Sequence, residues 1–359
     1  MDKRNRDDSN PSLFADLPTS SVADSSGESS KRRRIDDKTL QSSEENDSKH
    51  QKLTNSVLSL SELTYDVSKL SKFQIASFSD KGKKPHMEDR KVVFADLSTA
   101  ADRDQFAPFR KQRYALFAIY DGHGGGEASE FLQTNLHRNL IEELISCKDF
   151  SVDGEESSKL HQDYIRNAFT GSFRRTDKEL LDHLKLIVRQ SGSTGVVCMI
   201  VGQTVWTANV GDSKAVLARL RKSGKIKGVS LSKDHHPILL SERKRIDKSG
   251  GFVRDGRVLG RLEVSRSFGD PSFKSFGVVS TPYISRVELS SDDQFLIIGC
   301  DGLWSHFPVQ DAVDFVYETI NHYSKPDIKT ICRKLVREAV MERGAPDNVT
   351  AILVILDHQ

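Results

Sequence analysis

Apolar residues along the chain first form short, nearly continuous runs that predict β-strands. The run Tyr114–Tyr120 contains almost no polar side chain, and the runs 196–201 and Thr204–Val210 flank a Gly-Gln pair, the pattern of a β-hairpin. Residues 295–299 and 350–356 form two further runs rich in branched apolar side chains.

Three other stretches place apolar residues at intervals of three and four, which predicts amphipathic helices. They span 128–144, 164–173 and 328–340, and the third has Asp327 as a predicted N-cap and Gly344 just beyond its end. The strands fall into hairpin-like groups, whereas the helices stand apart from them along the chain. This order favours antiparallel sheets covered by helices over an alternating parallel α/β fold.

Residues 1–66 differ from the rest of the chain. Ser, Asp, Lys and Asn dominate, and the scattered apolar residues show no period, so this segment buries too little surface to offset its ordering entropy. We predict a disordered tail at 1–66 and one folded domain at 67–359. A basic cluster in the tail has the pattern of a nuclear import signal for an import receptor, with a solvated charge run as the alternative. The cluster consists of Lys31, Arg32, Arg33 and Arg34.

Composition narrows the class of protein. A net charge of +2, with 36% hydrophobic and 29% charged residues, describes a soluble globular chain without the basic surface of a nucleic-acid binder. The four cysteines are widely spaced, which indicates reduced thiols rather than disulfides or a zinc site. No apolar run approaches a membrane span or a secretory signal. We therefore expect a monomer in the cytoplasm, the nucleus or both.

Carboxylates at the ends of the apolar runs form the most informative chemical pattern. They are Glu88, Asp89, Asp121, Asp212, Asp301 and Asp347. Strands that leave one sheet edge together would gather these groups, which would repel each other without cations or shared protons. Oxygen ligands without Cys or His suit Mg²⁺ or Mn²⁺ better than Zn²⁺. For any single Asp-Gly pair, ordinary turn chemistry is the alternative explanation.

One histidine does not fit that alternative. His123 follows Asp121-Gly122 and precedes three consecutive glycines. A histidine two positions from a metal carboxylate, in a glycine-rich loop, is well placed to act as a general acid. His86, His235 and His236 are expected to be ordinary surface residues.

Seven short motifs occur in order along the chain. They are MED at 87–89, DGHGG at 121–125, SGSTG at 191–195, GDS at 211–213, LEVSRSFGD at 262–270, CDGLW at 300–304 and DN-x-T at 347–350. The set resembles the metal-dependent protein phosphatases of type 2C over roughly residues 73–356. Within that family, residues 250–260 and the LFADLP segment of the tail are similar to the integrin-linked kinase-associated phosphatases.

The resemblance implies an α+β fold with a central sandwich of two antiparallel β-sheets, flanked by α-helices on both sides. It also implies hydrolysis of phosphoserine and phosphothreonine in phosphoprotein substrates. The implied nucleophile is a hydroxide bridging two divalent ions, Mg²⁺ or Mn²⁺, with His123 as general acid and no phosphoenzyme.

The resemblance also assigns metal ligands, residue by residue. Asp121 would bridge both ions, with Glu88 and the Gly122 carbonyl completing one site and Asp301 and Asp347 completing the other.

Two further carboxylates take outer roles under the same resemblance. Asp89 would act through metal-bound waters, and Asp212 would hold a weaker third ion together with Asp301. Ser305 stands where many members carry a third-site Asp, so we expect that ion to bind weakly.

Three basic positions depart from the family pattern or remain open. Lys84 replaces the usual phosphate-binding Arg, so the charge stays but the two-pronged geometry is lost, and we predict weaker substrate binding with the chemistry retained. Arg257 lies in the region the family uses as a flap, where substrate contact and an ordinary surface role are both open. Lys214 replaces a common Arg at a position that we expect to be structural.

Three alternatives compete with an active protein phosphatase. A pseudophosphatase would keep the fold as a binding module, although such proteins typically lose metal carboxylates that this chain retains. A nuclear scaffold would have its main function in residues 1–66. A hydrolase of small phosphoesters would have the same pocket chemistry. Neither nucleic acid nor membrane is an expected partner.

Overall fold

The computed structural model describes residues 73–97, 114–146, 159–322 and 327–356. The strands are β1 (Phe73–Asp80), β2 (Arg90–Phe94), β3 (Tyr114–Tyr120), β4 (Gly122–His123), β5 (Gly192–Ser193), β6 (Gly195–Val201), β7 (Thr204–Val210), β8 (Lys214–Leu220), β9 (Ile226–Ser230), β10 (Val253–Arg254), β11 (Arg257–Val258), β12 (Phe268–Gly269), β13 (Tyr283–Glu288), β14 (Asp293–Gly299) and β15 (Val349–Leu356). The helices are α1 (Glu127–Ile145), α2 (Lys159–Leu186), α3 (Leu240–Lys248), α4 (Pro271–Lys274), α5 (Asp301–Trp304), α6 (Val309–His322) and α7 (Ile328–Arg337).

Two five-stranded antiparallel sheets form the centre of the fold. The first sheet has the order β1-β15-β14-β8-β9, and the second has the order β13-β7-β6-β3-β2. The predicted hairpin is β6–β7, with Val201 opposite Thr204 across the Gly-Gln turn. The antiparallel sandwich with flanking helices is confirmed.

Burial on both faces explains the continuously apolar strands. Between the sheets lie Phe117, Cys198, Leu217, Ile298 and Val354. The outer face of the second sheet packs against α1 and α2, and that of the first sheet packs against α6 and α7. A strand covered on both faces favours apolar residues at every position, because every side chain is removed from water. The polar Thr207 and Asn209 of β7 are buried as well.

The third predicted helix is correct at its start and too long at its end. The Asp327 side chain accepts hydrogen bonds from the backbone N–H groups of Lys329 and Thr330, as expected of an N-cap. The α-helix ends at Arg337 and continues as a π-helical turn over Glu338–Glu342. Apolar periodicity does not separate the two, because a single wider turn shifts the buried face only slightly.

Two sequence predictions concern membranes and the tail. No helix in the described ranges combines the length and apolar character needed to cross a membrane. The predicted tail and its basic cluster lie outside the described residues.

Candidate active site

Five of the predicted carboxylates line one cleft of about 300 Å³. They are Glu88, Asp121, Asp212, Asp301 and Asp347. They come from strands of both sheets, which end at the same side of the sandwich: β2, β3 and β7 belong to one sheet, and β14 and β15 to the other. The carboxylates gather in one place as expected, but strands of both sheets supply them rather than the edge of a single sheet. The cleft lies where the ends of the two sheets meet.

Asn348 ties together the loop that carries Glu88. Its side-chain oxygen accepts from the Glu88 N–H at 2.7 Å, and its amide nitrogen donates to the Lys81 and His86 carbonyls at 2.9 and 3.0 Å. On the other side of this loop, the Ser129 hydroxyl donates to the Glu88 carbonyl at 2.5 Å. Sequence analysis treated Asn348 only as a neighbour of Asp347, because its partners are distant along the chain.

Asp89 is buried, and neither of its carboxylate oxygens makes a well-formed hydrogen bond, although the side chains of Thr350 and Cys300 lie close enough to lower its pKa. Burial raises the pKa of Asp89 to about 6 and that of Asp212 to about 7. The pKa of Asp121 lies well above its usual value because the group is buried and faces the charges of Asp89 and Asp301. A buried carboxylate without a well-formed hydrogen bond, in a group whose members repel each other, fits a site for divalent cations.

Cys300 was not expected beside these carboxylates. Its sulfur and oxygens of Asp89 and Asp121 all lie within 4.8 Å of one another. Burial raises the pKa of the Cys300 thiol well above its usual value, and the Thr350 N–H donates to the sulfur at 3.2 Å. A neutral, soft thiol is a poor ligand for Mg²⁺ or Mn²⁺, so the donors that fit these ions remain the oxygens.

His123 lines the cleft and is oriented by a residue that sequence analysis missed. Its Nε2 lies 2.8 Å from Oδ2 of Asp270, a buried carboxylate that also accepts from the Ser267 hydroxyl at 2.6 Å. Burial opposes the charged form of His123, but Asp270 outweighs it and raises the pKa of the histidine. The final Asp of LEVSRSFGD was the only sequence signal for this partner.

Gly192 provides the space for this pair. A Cβ at this position would lie 2.3 Å from Oδ2 of Asp270 and 2.4 Å from Nε2 of His123. Any side chain would separate the two groups, so the glycine in SGSTG is required by close packing.

Comparison with known proteins decides the family. Residues 78–349 match the family model described as Protein phosphatase 2C. The chain belongs to the protein phosphatase 2C family. It is similar to the integrin-linked kinase-associated serine/threonine phosphatase 2C of Bos taurus, with 35% identity over 96% of this chain and 93% of the relative. It is also 40% identical to the probable protein phosphatase 2C 8 of Arabidopsis thaliana, over 77% of this chain and 76% of the relative.

A solved structure supports the same fold. The serine-threonine phosphatase 2C from Toxoplasma gondii matches with a TM-score of 0.66 and 23% identity, covering 80% of this chain and 95% of the other. The family and the named relatives make this type 2C chain a protein-serine/threonine phosphatase acting on phosphoproteins. They do not favour the pseudophosphatase alternative.

The two predicted substrate-binding cations of this type 2C phosphatase both line the cleft. Lys84 forms an ion pair with Asp347, with 2.9 Å between Nζ and Oδ1. Arg257 is bonded to the Glu263 carboxylate and donates to the Arg261 carbonyl at 3.1 Å. Their contacts with substrate stay predictions. For Lys84, the KM of Lys84→Arg is the measurement that tests the expected weaker phosphate binding.

The structure also shows where the remaining basic residues, histidines and Ser305 lie. Lys214 has a structural contact, because its Nζ donates to Oδ2 of Asp234 at 2.8 Å. His86 is exposed and His236 is half-buried, but His235 is buried and was wrongly placed at the surface. Burial lowers the pKa of His235 to about 4. Ser305 is exposed at the end of α5.

We predict that Asn348→Ala weakens Mn²⁺ binding about 10–100-fold, because Asn348 positions the loop that carries Glu88. It should also lower the free energy of unfolding by roughly 2–3 kcal/mol, since three hydrogen bonds are lost. Calorimetric Mn²⁺ titration and chemical denaturation measure the two effects. Asn135→Ala is the control, because this α1 side chain makes one local bond to the Phe131 carbonyl. Lost stability with unchanged Mn²⁺ affinity would reduce Asn348 to a purely structural residue.

Proposed function

We propose that this phosphatase hydrolyses phosphoserine and phosphothreonine by direct attack of water, with Mg²⁺ or Mn²⁺ and without a phosphoenzyme. The observation that carries the proposal is the buried carboxylate of Asp89, which makes no well-formed hydrogen bond, within a group of mutually repelling acids. Such a group is costly to bury unless cations neutralise it.

The chain offers oxygen ligands for two ions and a weaker third. We assign one ion to Glu88, Asp121 and the Gly122 carbonyl, and the other to Asp121, Asp301 and Asp347. Asp212 would hold the third ion. Bound there, the divalent cations would supply an ionised water near neutral pH and neutralise the phosphoryl oxygens.

His123 is the proposed general acid. Asp270 accepts a hydrogen bond from Nε2, which leaves Nδ1 as the ring nitrogen that can transfer a proton to the departing serine or threonine oxygen. An alkoxide is a poor leaving group, so this proton transfer contributes about 10²–10⁴-fold. Asp270 positions the ring and stabilises its protonated form.

The cleft lining argues against a hydroxyl or thiol nucleophile. Among the described residues that line it there is no cysteine, and the one hydroxyl belongs to Thr194. The Thr194 hydroxyl lies 2.7 Å from the Ser213 hydroxyl, so it is not paired with a base that could activate it.

Hydrolysis of a phosphothreonine peptide tests the proposal. We expect turnover with Mg²⁺ or Mn²⁺, none with EDTA, and a higher kcat/KM on the peptide than on small phosphoesters. Acid quenching during turnover of labelled substrate should leave no label on the protein. A trapped phosphorylated residue would replace direct hydrolysis by a two-step route. A preference for small phosphoesters would favour the alternative substrate class.

The location of the protein in the cell is a further part of the proposal. The basic cluster Lys31, Arg32, Arg33 and Arg34 supports import into the nucleus from the cytoplasm. A fluorescent fusion with the four residues changed to Ala should lose nuclear signal relative to the unchanged fusion.

A further inference from the structure

The cationic side chains that line the cleft differ in how they are paired. Lys84, His123 and Arg257 are each bonded to a carboxylate of the chain. Arg261 also lines the cleft, but no carboxylate of the described residues lies within ion-pair distance of its guanidinium. Among the described cations that line the cleft, Arg261 is therefore the one without a carboxylate partner. Its charge is available to bind an anionic group of another molecule.

Arg261 is held in place although it is exposed. Its guanidinium carbon lies 5.0 Å from the centroid of the Phe273 ring, a cation–π contact that fixes the side chain. Arg257 donates to the Arg261 carbonyl at 3.1 Å, which fixes the backbone. Contact with a ring face leaves the N–H groups at the edge of the guanidinium able to bind an anion.

The charges of residues 254–263, beside the cleft, also leave Arg261 available to an anion. Arg257 is neutralised by Glu263, and Arg254 lies 3.9 Å from the Asp255 carboxylate, so Arg261 supplies the net positive charge of the segment. A cleft of about 300 Å³ matches sites that take whole small-molecule ligands.

We propose that Arg261 selects phosphoprotein substrates with a second anionic group, a carboxylate or a second phosphate, within a few residues of the scissile phosphate. This inference rests on phosphatase activity at the cleft. A guanidinium binds carboxylate and phosphate through the same paired N–H groups, and more strongly when the anion is doubly charged. Because the pair is partly exposed, the expected preference is about three- to tenfold in kcat/KM.

The test compares matched phosphothreonine peptides that differ at one position at a time. At each flanking position, one peptide carries Asp, one carries the isosteric neutral Asn, and one carries a non-hydrolysable phosphonate analogue of phosphoserine. The unchanged enzyme should prefer Asp to Asn at one position or more. A larger preference for the phosphonate would identify a second phosphate as the favoured anion, and an equal or smaller one would identify a carboxylate.

Arg261→Gln should bring the Asp-to-Asn ratio of kcat/KM close to one. The matched control is Arg254→Gln, an exposed arginine of β10 in a cation–π contact, 5.9 Å from the Phe252 ring, which does not line the cleft. This control should keep the ratio. Thermal unfolding of both variants checks that the fold is intact.

Three outcomes would overturn the inference. The unchanged enzyme could show no preference at any position, or the preference could survive Arg261→Gln. Arg261→Gln could also slow the Asp and Asn peptides equally, which would place Arg261 at the scissile phosphate. Hydrolysis of p-nitrophenyl phosphate by the unchanged enzyme with Mn²⁺ separates these from a failure of the proposed function. Without that turnover, both proposals fall together.

Discussion

Asp121→Asn should lower kcat on a phosphothreonine peptide by at least about 10³-fold and, at the same time, stabilise the metal-free protein. The carboxylate follows β3 and is the proposed ligand of both cations, so its loss weakens both sites. Without metal, the same group is half-buried beside Asp89 and Asp301, and their charges disfavour its ionised form. The amide keeps the shape and removes the charge, which should raise the unfolding free energy in EDTA by about 1–2 kcal/mol.

The prediction is specific because activity should fall while the stability of the metal-free protein should rise. Activity with Mn²⁺ and thermal unfolding in EDTA and in Mn²⁺ are the measurements. The stabilisation by Mn²⁺ seen in the unchanged protein should shrink in the variant, because bound metal stabilises the folded state. Asp247→Asn, at an exposed α3 carboxylate, should change neither quantity appreciably. A variant less stable than the unchanged protein in EDTA would refute the view of this site as a strained acidic cluster.

His123→Asn should lower kcat on a phosphothreonine peptide by about 10²–10⁴-fold and affect p-nitrophenyl phosphate much less. The alkoxide of threonine needs a proton as it leaves, whereas p-nitrophenolate leaves readily without one. The difference between the two substrates therefore reports proton donation rather than general damage to the cleft. His183→Asn, at the far end of α2 and outside the cleft lining, is the matched histidine control.

Substitutions of Asp270 and Gly192 test the same proton-transfer role of His123. Asp270→Asn keeps the shape of the partner but removes the charge that raises the pKa of His123, so its loss should be smaller and show the same leaving-group pattern. Gly192→Ala should separate the pair sterically and follow His123→Asn. An equal loss on both substrates in all these variants would assign His123 to binding rather than to proton transfer.

The local pattern of apolar residues was sufficient to predict the strands and to place the carboxylates near their ends. The runs that became β3 and β6 are almost entirely apolar because both faces are covered, and each proposed metal carboxylate stands at or near a strand end. The pairs that organise the site were not predictable in this way. His123 and Asp270 are 147 residues apart, and Glu88 and Asn348 are 260 apart. Asp270 also has a left-handed backbone, with φ of 52°, which periodicity does not reveal.

The position of β15 has a consequence for the timing of activity during synthesis. β15 lies between β1 and β14 in the first sheet, and Asn348, directly before it, holds the loop that carries Glu88. At ordinary translation rates, the 260 residues between these partners take about 10–50 s to appear. A nascent chain on the ribosome therefore carries most of the proposed metal carboxylates before Asn348 can hold the loop of Glu88. We expect no phosphatase activity until the last strand of the sandwich has emerged and paired with its neighbours.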